Sequence, residues 1–181
     1  AGQLVHWHRN HRFCGRCGTP TEPQSHERAM KCPACGLLAF PRLAPAMITL
    51  VTRGEPGPAQ AALLAQGVNF RGPMYSCLAG FVEPGETIEE AVRREVREEA
   101  GIVCGEVKYF RSQPWPFPSS LMLGFRAIAR TDAITLRDGE LEDARWFTRE
   151  ELLNSPENDV LRLSRKDSIS RVLIEAWIRR E

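Results

Sequence analysis

Gly80-Phe-Val-Glu-Pro-Gly-Glu-Thr-Ile-Glu-Glu-Ala-Val-Arg-Arg-Glu-Val-Arg-Glu-Glu-Ala-Gly101 reads as a glycine-hinged loop running into one short, acid-loaded helix. Pro84-Gly85 suits the central positions of a type II turn, where proline presets the first φ and glycine accepts the positive second one. Thr87 followed three residues later by Glu90 is a capping box, so the helix is expected to begin at about Ile88. Gly101 fits a left-handed cap that ends it.

At 3.6 residues per turn, Ile88, Ala91, Val92, Val96 and Ala100 form one apolar stripe, with Glu90, Arg93, Arg94 and Arg97 on the opposite side. Glu95 and Glu99 break this pattern. They lie about 40° apart and bracket the line of Ile88, on the inward side, with Glu98 on the edge of the same face. A solvated helix of paired charges accounts for the arginine face but not for the acids. Like charges cost about a few tenths of a kcal/mol on a surface, but about several kcal/mol per ion when taken from water without a partner. A cation resolves the conflict, and hard carboxylate oxygens select Mg²⁺ or Mn²⁺, which are often shared with substrate phosphates.

The pattern of a glycine, five residues, a glutamate, seven residues and then Arg-Glu-aliphatic-x-Glu-Glu-x-Gly-aliphatic resembles the Nudix box. Gly80, Glu86, Arg94, Glu95, Val96, Glu98, Glu99, Gly101 and Ile102 match every fixed place. The resemblance implies an α/β (α+β) fold, a mixed sheet sandwiched between helices, and hydrolysis of nucleoside diphosphates linked to another group. It makes Glu95, Glu98 and Glu99 metal ligands and catalytic residues, with Glu99 also a candidate base, and adds Ala79 to the metal site. Gly80, Glu86 and Arg94 are implied to brace the loop against the helix.

With 181 residues the chain can bury one ordinary domain plus a small appendage, divided as 1–40 and 41–181. Charged residues make up 26% and the formal net charge is +1, which argues against a bulk polyanion binder while allowing a local basic patch. No apolar run approaches a membrane span and no signal-peptide pattern opens the chain, so a cytoplasmic, reduced protein is expected. It opens on Ala rather than Met, as a processed or engineered fragment would.

His6, Trp7, His8 and His11 form a cluster that could suggest metal binding, but three histidines in a polar lead-in read as a solvated helix face, and no function is rested on them. Cys14-Gly-Arg-Cys17 and Cys32-Pro-Ala-Cys35 are two Cys-x-x-Cys pairs fourteen residues apart, each followed by glycine. This is close to the four-cysteine zinc pattern. A redox dithiol would want a single pair beside a βαβ unit, and a disulfide framework a secreted chain. A segment this small seldom folds on its own core, whereas structural zinc contributes on the order of 10 kcal/mol. Four thiolates leave no open position, so the zinc is expected to be structural. Cys77 and Cys104 are expected to be buried and inert.

Ala46–Thr52 is a β-rich apolar run and Ala61–Ala65 its returning strand, with a turn over Arg53–Gln60. Further strands are expected at about 75–82, 107–112, 120–129 and 144–147, without internal repeats. Ser112-Gln-Pro-Trp-Pro-Phe-Pro-Ser-Ser120 holds three prolines that favour an extended segment, with Trp115 and Phe117 on one side. Those aromatics are either a stacking surface or core packing. Ile169, Val172, Leu173, Ala176 and Trp177 give an amphipathic closing helix from about Ser168.

Ser-Gln-Pro-Trp-Pro-Phe-Pro downstream of a Nudix box, with a four-cysteine ribbon upstream, looks like the NADH pyrophosphatase branch, whose members also remove NAD caps from RNA. By matching position, the resemblance implies that Glu27, Phe40, Phe81, Gln113, Trp115 and Phe117 contact the dinucleotide. It also implies that Glu140 is a further metal ligand, with Glu142 and Asp143 the nearest residues to mistake for it. Phe40 stands where the branch tends to carry tyrosine, and the further N-terminal domain common in the branch is not in this sequence. The branch consists of homodimers whose subunits share each site. The expected reaction is metal-dependent cleavage of NAD(H) to nicotinamide mononucleotide and AMP, and of 5′ NAD-capped RNA to 5′-monophosphate RNA. The rivals are an ADP-ribose or other nucleotide-sugar pyrophosphatase and, from another class, a zinc-ribbon RNA-binding module with a decayed catalytic domain.

Overall fold

The computed structural model describes residues 2–70, 72–137, 139–155, 157–158 and 160–180. It contains two compact units, Ala1–Ala44 with Pro114–Leu121 and Pro45–Gln113 with Met122–Glu181. The first unit thus takes in a segment that a linear division at residue 40 does not include.

In the first unit, α1 (Gly2–Asn10) is followed by the two-residue strands β1 (Glu22–Pro23), β2 (Met30–Lys31) and β3 (Leu38–Ala39), paired antiparallel in that order. Trp7 is buried, with the His8 and His11 rings at 4.8 and 5.2 Å from it. The two cysteine loops repeat one conformation. Cys14 N donates to Thr19 O and Gly18 N to Cys14 O, while Cys32 N donates to Leu37 O and Gly36 N to Cys32 O. Gly18 and Gly36 close these loops at φ of 74° and 72°, which a side chain would resist.

The second unit holds most of β4 (Ala44–Arg53), β5 (Ala61–Gly67), β6 (Met74–Tyr75), β7 (Leu78–Phe81), α2 (Ile88–Ala100), β8 (Cys104–Trp115), β9 (Ser120–Ala129), β10 (Leu141–Thr148), α3 (Arg149–Leu153), β11 (Arg162–Leu163) and α4 (Ile169–Arg179). The main sheet has the order β10-β5-β4-β9-β8, with β7 also paired to β4; β11 and β6 form a small parallel pair. Alternation along β4 and β5 decides what each face meets. Met47, Val51, Leu63 and Ala65 join Ala91, Val92, Val96 and Ala100 of α2 in one core cluster. Ile48, Leu50, Ala62 and Leu64 join Leu152 of α3 and Leu173, Ile174 and Trp177 of α4 in another. Both faces of the central strands are covered, which is why they read as unbroken apolar runs.

Several expectations change in detail. The strand expected at 75–82 is split at Ser76, which forms an isolated bridge to Ala65, its amide and carbonyl both bonded to that residue. The proline segment is extended only to Trp115. Pro114 is tolerated because β8 ends the sheet order, and residues 116–119 then form a turn. Neither α3 nor β11 was expected. Among the described residues no helix is long and apolar enough to cross a membrane.

Candidate active site

The helix that carries the acids is bounded by local chemistry. Thr87 accepts from Glu90 N while the Glu90 carboxylate accepts from Thr87 N, and Gly101 closes the other end at φ 72°. Ala91, Val92, Val96 and Ala100 are fully buried, and Glu99 shares their face at 4% exposure.

Arg94 ties this helix to the loop before it. Its Nε and Nη2 bond the two Glu86 oxygens at 3.0 and 2.7 Å. Nη2 also donates to Phe81 O at 2.9 Å, and Nη1 to Glu95 Oε1 and Glu98 Oε2 at 2.9 and 3.1 Å. A guanidinium has five N–H donors, and all five are used. Glu86 also accepts from Glu83 N at 2.7 Å, and the Arg94 bonds together with that amide pull its carboxyl down to about 2.

Glu95 is held above the usual carboxylate range, chiefly by burial; Arg94 opposes this, and the charges of Glu98 and Glu140 add to it. Gly80 leaves the room Glu95 occupies, since a Cβ there would stand 2.0 Å from Glu95 Cδ and 2.1 Å from Oε1. Gly80→Ala must therefore push a flexible carboxylate aside, which is cheap in stability and expensive at the site. We expect a melting temperature within about 3 °C of the parent and kcat lowered about tenfold or more. Normal kcat in the purified variant would show that Glu95 does not need that position.

Ala79, Glu99 and Glu140 line one cavity of about 200 Å³, with Phe70, Ser76 and Leu141. Why Glu140 and not its neighbours? A bulge between Leu141 and Asp143 breaks the pairing of β10 with β5. Glu142 accepts from Gln66 Nε2 at 2.9 Å, and Asp143 is bonded by Tyr75 and Arg145. Phe70 was not singled out from the sequence. Its signal is Gly67-Val-Asn-Phe70, a turn closed by Phe70 N to Gly67 O at 2.9 Å, which folds the ring back over the end of β5.

An all-oxygen donor set on one helix face, with Glu99 buried and Glu95 disfavoured as an anion first by burial and then by the charges of Glu98 and Glu140, fits a hard divalent cation. Among the described residues, three or more such groups come within 4.8 Å only at the four cysteines, so the box acids are less tightly gathered. At the cysteines the Cys14–Cys35 and Cys17–Cys32 sulfur distances are 3.6 and 3.5 Å. Zn–S bonds of about 2.3 Å at tetrahedral angles imply sulfurs about 3.8 Å apart, so the set is shaped for zinc. Cys17 is pulled down to about 6, first by the Thr19 side chain 3.3 Å away and then by the Thr19 amide. Cys77 and Cys104 are buried, which pushes them up to about 12 and about 11.

The residues expected to touch a dinucleotide fall in both units. Glu27, Phe40, Trp115 and Phe117 belong to the first, and Phe81 and Gln113 to the second. The aromatics are not core. Phe40, Phe81, Trp115 and Phe117 are all exposed, and the Trp115 and Phe117 rings meet edge-to-face at 5.7 Å. Gln113 is already occupied. Its Nε2 donates to Asp167 O at 2.7 Å and its Oε1 accepts from Ile169 N at 2.8 Å, holding β8 to the start of α4.

Comparison with known proteins places these features among relatives. Residues 42–166 match the NUDIX domain profile, and residues 9–40 match the NADH pyrophosphatase zinc ribbon domain. The chain is 47% identical over 180 residues to a Pseudomonas aeruginosa protein named NAD-capped RNA hydrolase NudC, covering 99% of this chain and 60% of that protein. It is 50% identical over 156 residues to a protein of that name from Deinococcus radiodurans, covering 86% of this chain and 55% of that protein. The chain thus spans little more than half the length of these relatives. A Nudix hydrolase structure from Nitrosomonas europaea superposes with a TM-score of 0.72 at 20% identity, covering 94% of this chain and 92% of that one.

Proposed function

Because the chain belongs to the Nudix hydrolase family and carries the zinc ribbon of NADH pyrophosphatases, we propose that it cleaves the pyrophosphate of NAD(H) and of 5′ NAD-capped RNA. Water adds to one phosphorus and the bridging P–O bond breaks, giving nicotinamide mononucleotide and AMP, or a 5′-monophosphate RNA. The observation that carries this reading is the cavity shared by Ala79, Glu99 and Glu140 beside a helix whose Glu95 and Glu98 are set by Arg94.

We assign Glu95, Glu98, Glu99 and Glu140, with the Ala79 backbone, to Mg²⁺ or Mn²⁺, which supplies phosphate neutralisation and a more acidic water. Glu99, buried at the cavity wall, takes the proton from the attacking water. Arg94 and Glu86 keep the loop and the acids in register. Phe81 in one unit, and Trp115 and Phe117 in the other, each offer an exposed ring face for stacking on a base; Glu27 and Phe40 are assigned to the substrate by resemblance, and Gln113 acts by holding β8. By the same resemblance the working form is a homodimer.

Steady-state rates on NADH, NAD⁺, ADP-ribose and NAD-capped RNA under one metal condition test the assignment. We expect kcat/KM for NADH or capped RNA to exceed that for ADP-ribose by at least about tenfold. A preference for ADP-ribose would move the chain to the nucleotide-sugar pyrophosphatases.

A further inference from the structure

We propose that the arginine-lined groove beside the outer face of α2 holds the phosphodiester chain of the RNA substrate. This rests on the capped-RNA reading above and extends it from the cap to the body of the transcript. The groove has a volume of about 620 Å³ and is lined by Arg93, Arg94, Arg97, Glu98 and Arg137, over Val103 and Cys104.

Its charge is of two kinds. Arg94 is spent on Glu86, Glu95, Glu98 and a backbone carbonyl, so it contributes little outward. The other three pair with no carboxylate among the described residues. Arg93 donates to the carbonyls of Glu89 and Gly105, at 3.1 and 3.2 Å, which fixes its direction; the Glu90 carboxylate feels its charge without forming a direct ion pair. Arg97 is exposed in the last turn of α2. Arg137 comes from the connection before β10, pinned by Thr135 N to Ala100 O and by Trp146 Nε1 to Asp132 O, both 2.9 Å.

A helix C-terminus favours one cation, which accounts for Arg97 but not for Arg93 mid-helix or for Arg137 from another segment. With a net charge of +1 over the whole chain, three guanidiniums without a direct carboxylate partner around one groove are a local concentration rather than a general excess. Like charges gathered in one groove favour an anion between them. Glu98 lines this groove and also belongs to the acid set of α2. A transcript leaving the metal centre carries one negative charge per nucleotide, and this groove begins at that edge.

Free NAD(H) has no such chain, so the groove separates the two substrates. The test is Arg97→Ala combined with Arg137→Ala, both exposed side chains outside the acid set. We expect kcat/KM for NAD-capped RNA to fall about tenfold, and the salt dependence of binding uncapped single-stranded RNA to become shallower by about 1.4 in log–log slope, as the loss of two phosphate contacts requires. Hydrolysis of NADH stays unchanged. An equal fall for both substrates overturns the groove, and so does RNA hydrolysis and binding that match the parent. If the parent cleaves no capped RNA, the functional reading fails by itself. The uncapped-RNA affinity of parent and variant then still decides the groove, supporting it if weakened and overturning it if unchanged.

Discussion

Glu99→Gln lowers kcat on NADH by at least about a hundredfold while weakening dinucleotide binding only modestly, as expected when an acid–base or electrostatic group is removed and the recognition surface is kept. Glutamine preserves the size of a side chain that is 4% exposed in a cavity with Ala79 and Glu140, so the packing of α2 is retained. What changes is charge and basicity. A neutral amide neither attracts a divalent cation as a carboxylate does nor accepts a proton from water near neutral pH. The exposed rings of Phe81, Trp115 and Phe117 are untouched. Measuring kcat and KM beside the dissociation constant of a non-hydrolysable dinucleotide separates the two effects. Near-normal kcat would remove Glu99 from the chemistry and leave Glu95, Glu98 and Glu140 to carry it.

Cys32→Ser has the largest expected effect on stability. Among the described residues, the first unit buries only Trp7, Cys14, Ala29, Met30, Cys32 and Ser120, two of them thiols. That is no core in the ordinary sense, and a unit so small depends on its metal. Cys32 is fully buried and bonded through its amide and carbonyl to Leu37 and Gly36, so the substitution opens the site at its most enclosed corner. Structural zinc contributes on the order of 10 kcal/mol, enough to decide whether these residues fold at all. We expect the variant to lose stoichiometric zinc and to become protease-sensitive within residues 1–44, as the parent does with a chelator. Zinc-free protein with unchanged melting and protease resistance would refute a structural role.

How legible was this in one dimension? The ends of α2 were, because Thr87, Glu90 and Gly101 act within a few residues of themselves. The common face of Glu95 and Glu99 was, because helical spacing is local. Other signals were present and went unread: Thr148 and Glu151 form a second capping box that starts α3, and Gly67 to Phe70 marks a turn. Elements of two residues, such as β11 beside β6, exist only through their tertiary partner, and no periodicity announces them. The burial of Trp7 was not legible, because the single stripe of a short helix does not say what will cover it. Glu140 and Glu142 stand on one side of an ideal strand, so alternation could not choose between them. The bulge that separates them is a property of the pairing with β5. Roles for Phe40 and Gln113 came through family resemblance alone, whereas the prolines left Trp115 and Phe117 open between a stacking surface and core packing; for Gln113 the backbone bonds show a holding role that resemblance did not suggest.

The paired cysteine loops have a consequence for how this chain can vary. Each loop is a finished bidentate clip, closed by its own hydrogen bonds and its own glycine. Joining two such clips costs only the entropy of closing the stretch between Gly18 and Lys31. That cost rises with the logarithm of length, by about 0.6 kcal/mol per doubling, which is small beside the order of 10 kcal/mol from the metal. The hairpin tip between β1 and β2, where Glu27 sits exposed, is therefore free to lengthen, shorten or change sequence without loosening the chelate. A contact made there can be rewritten while the ribbon beneath it stays folded.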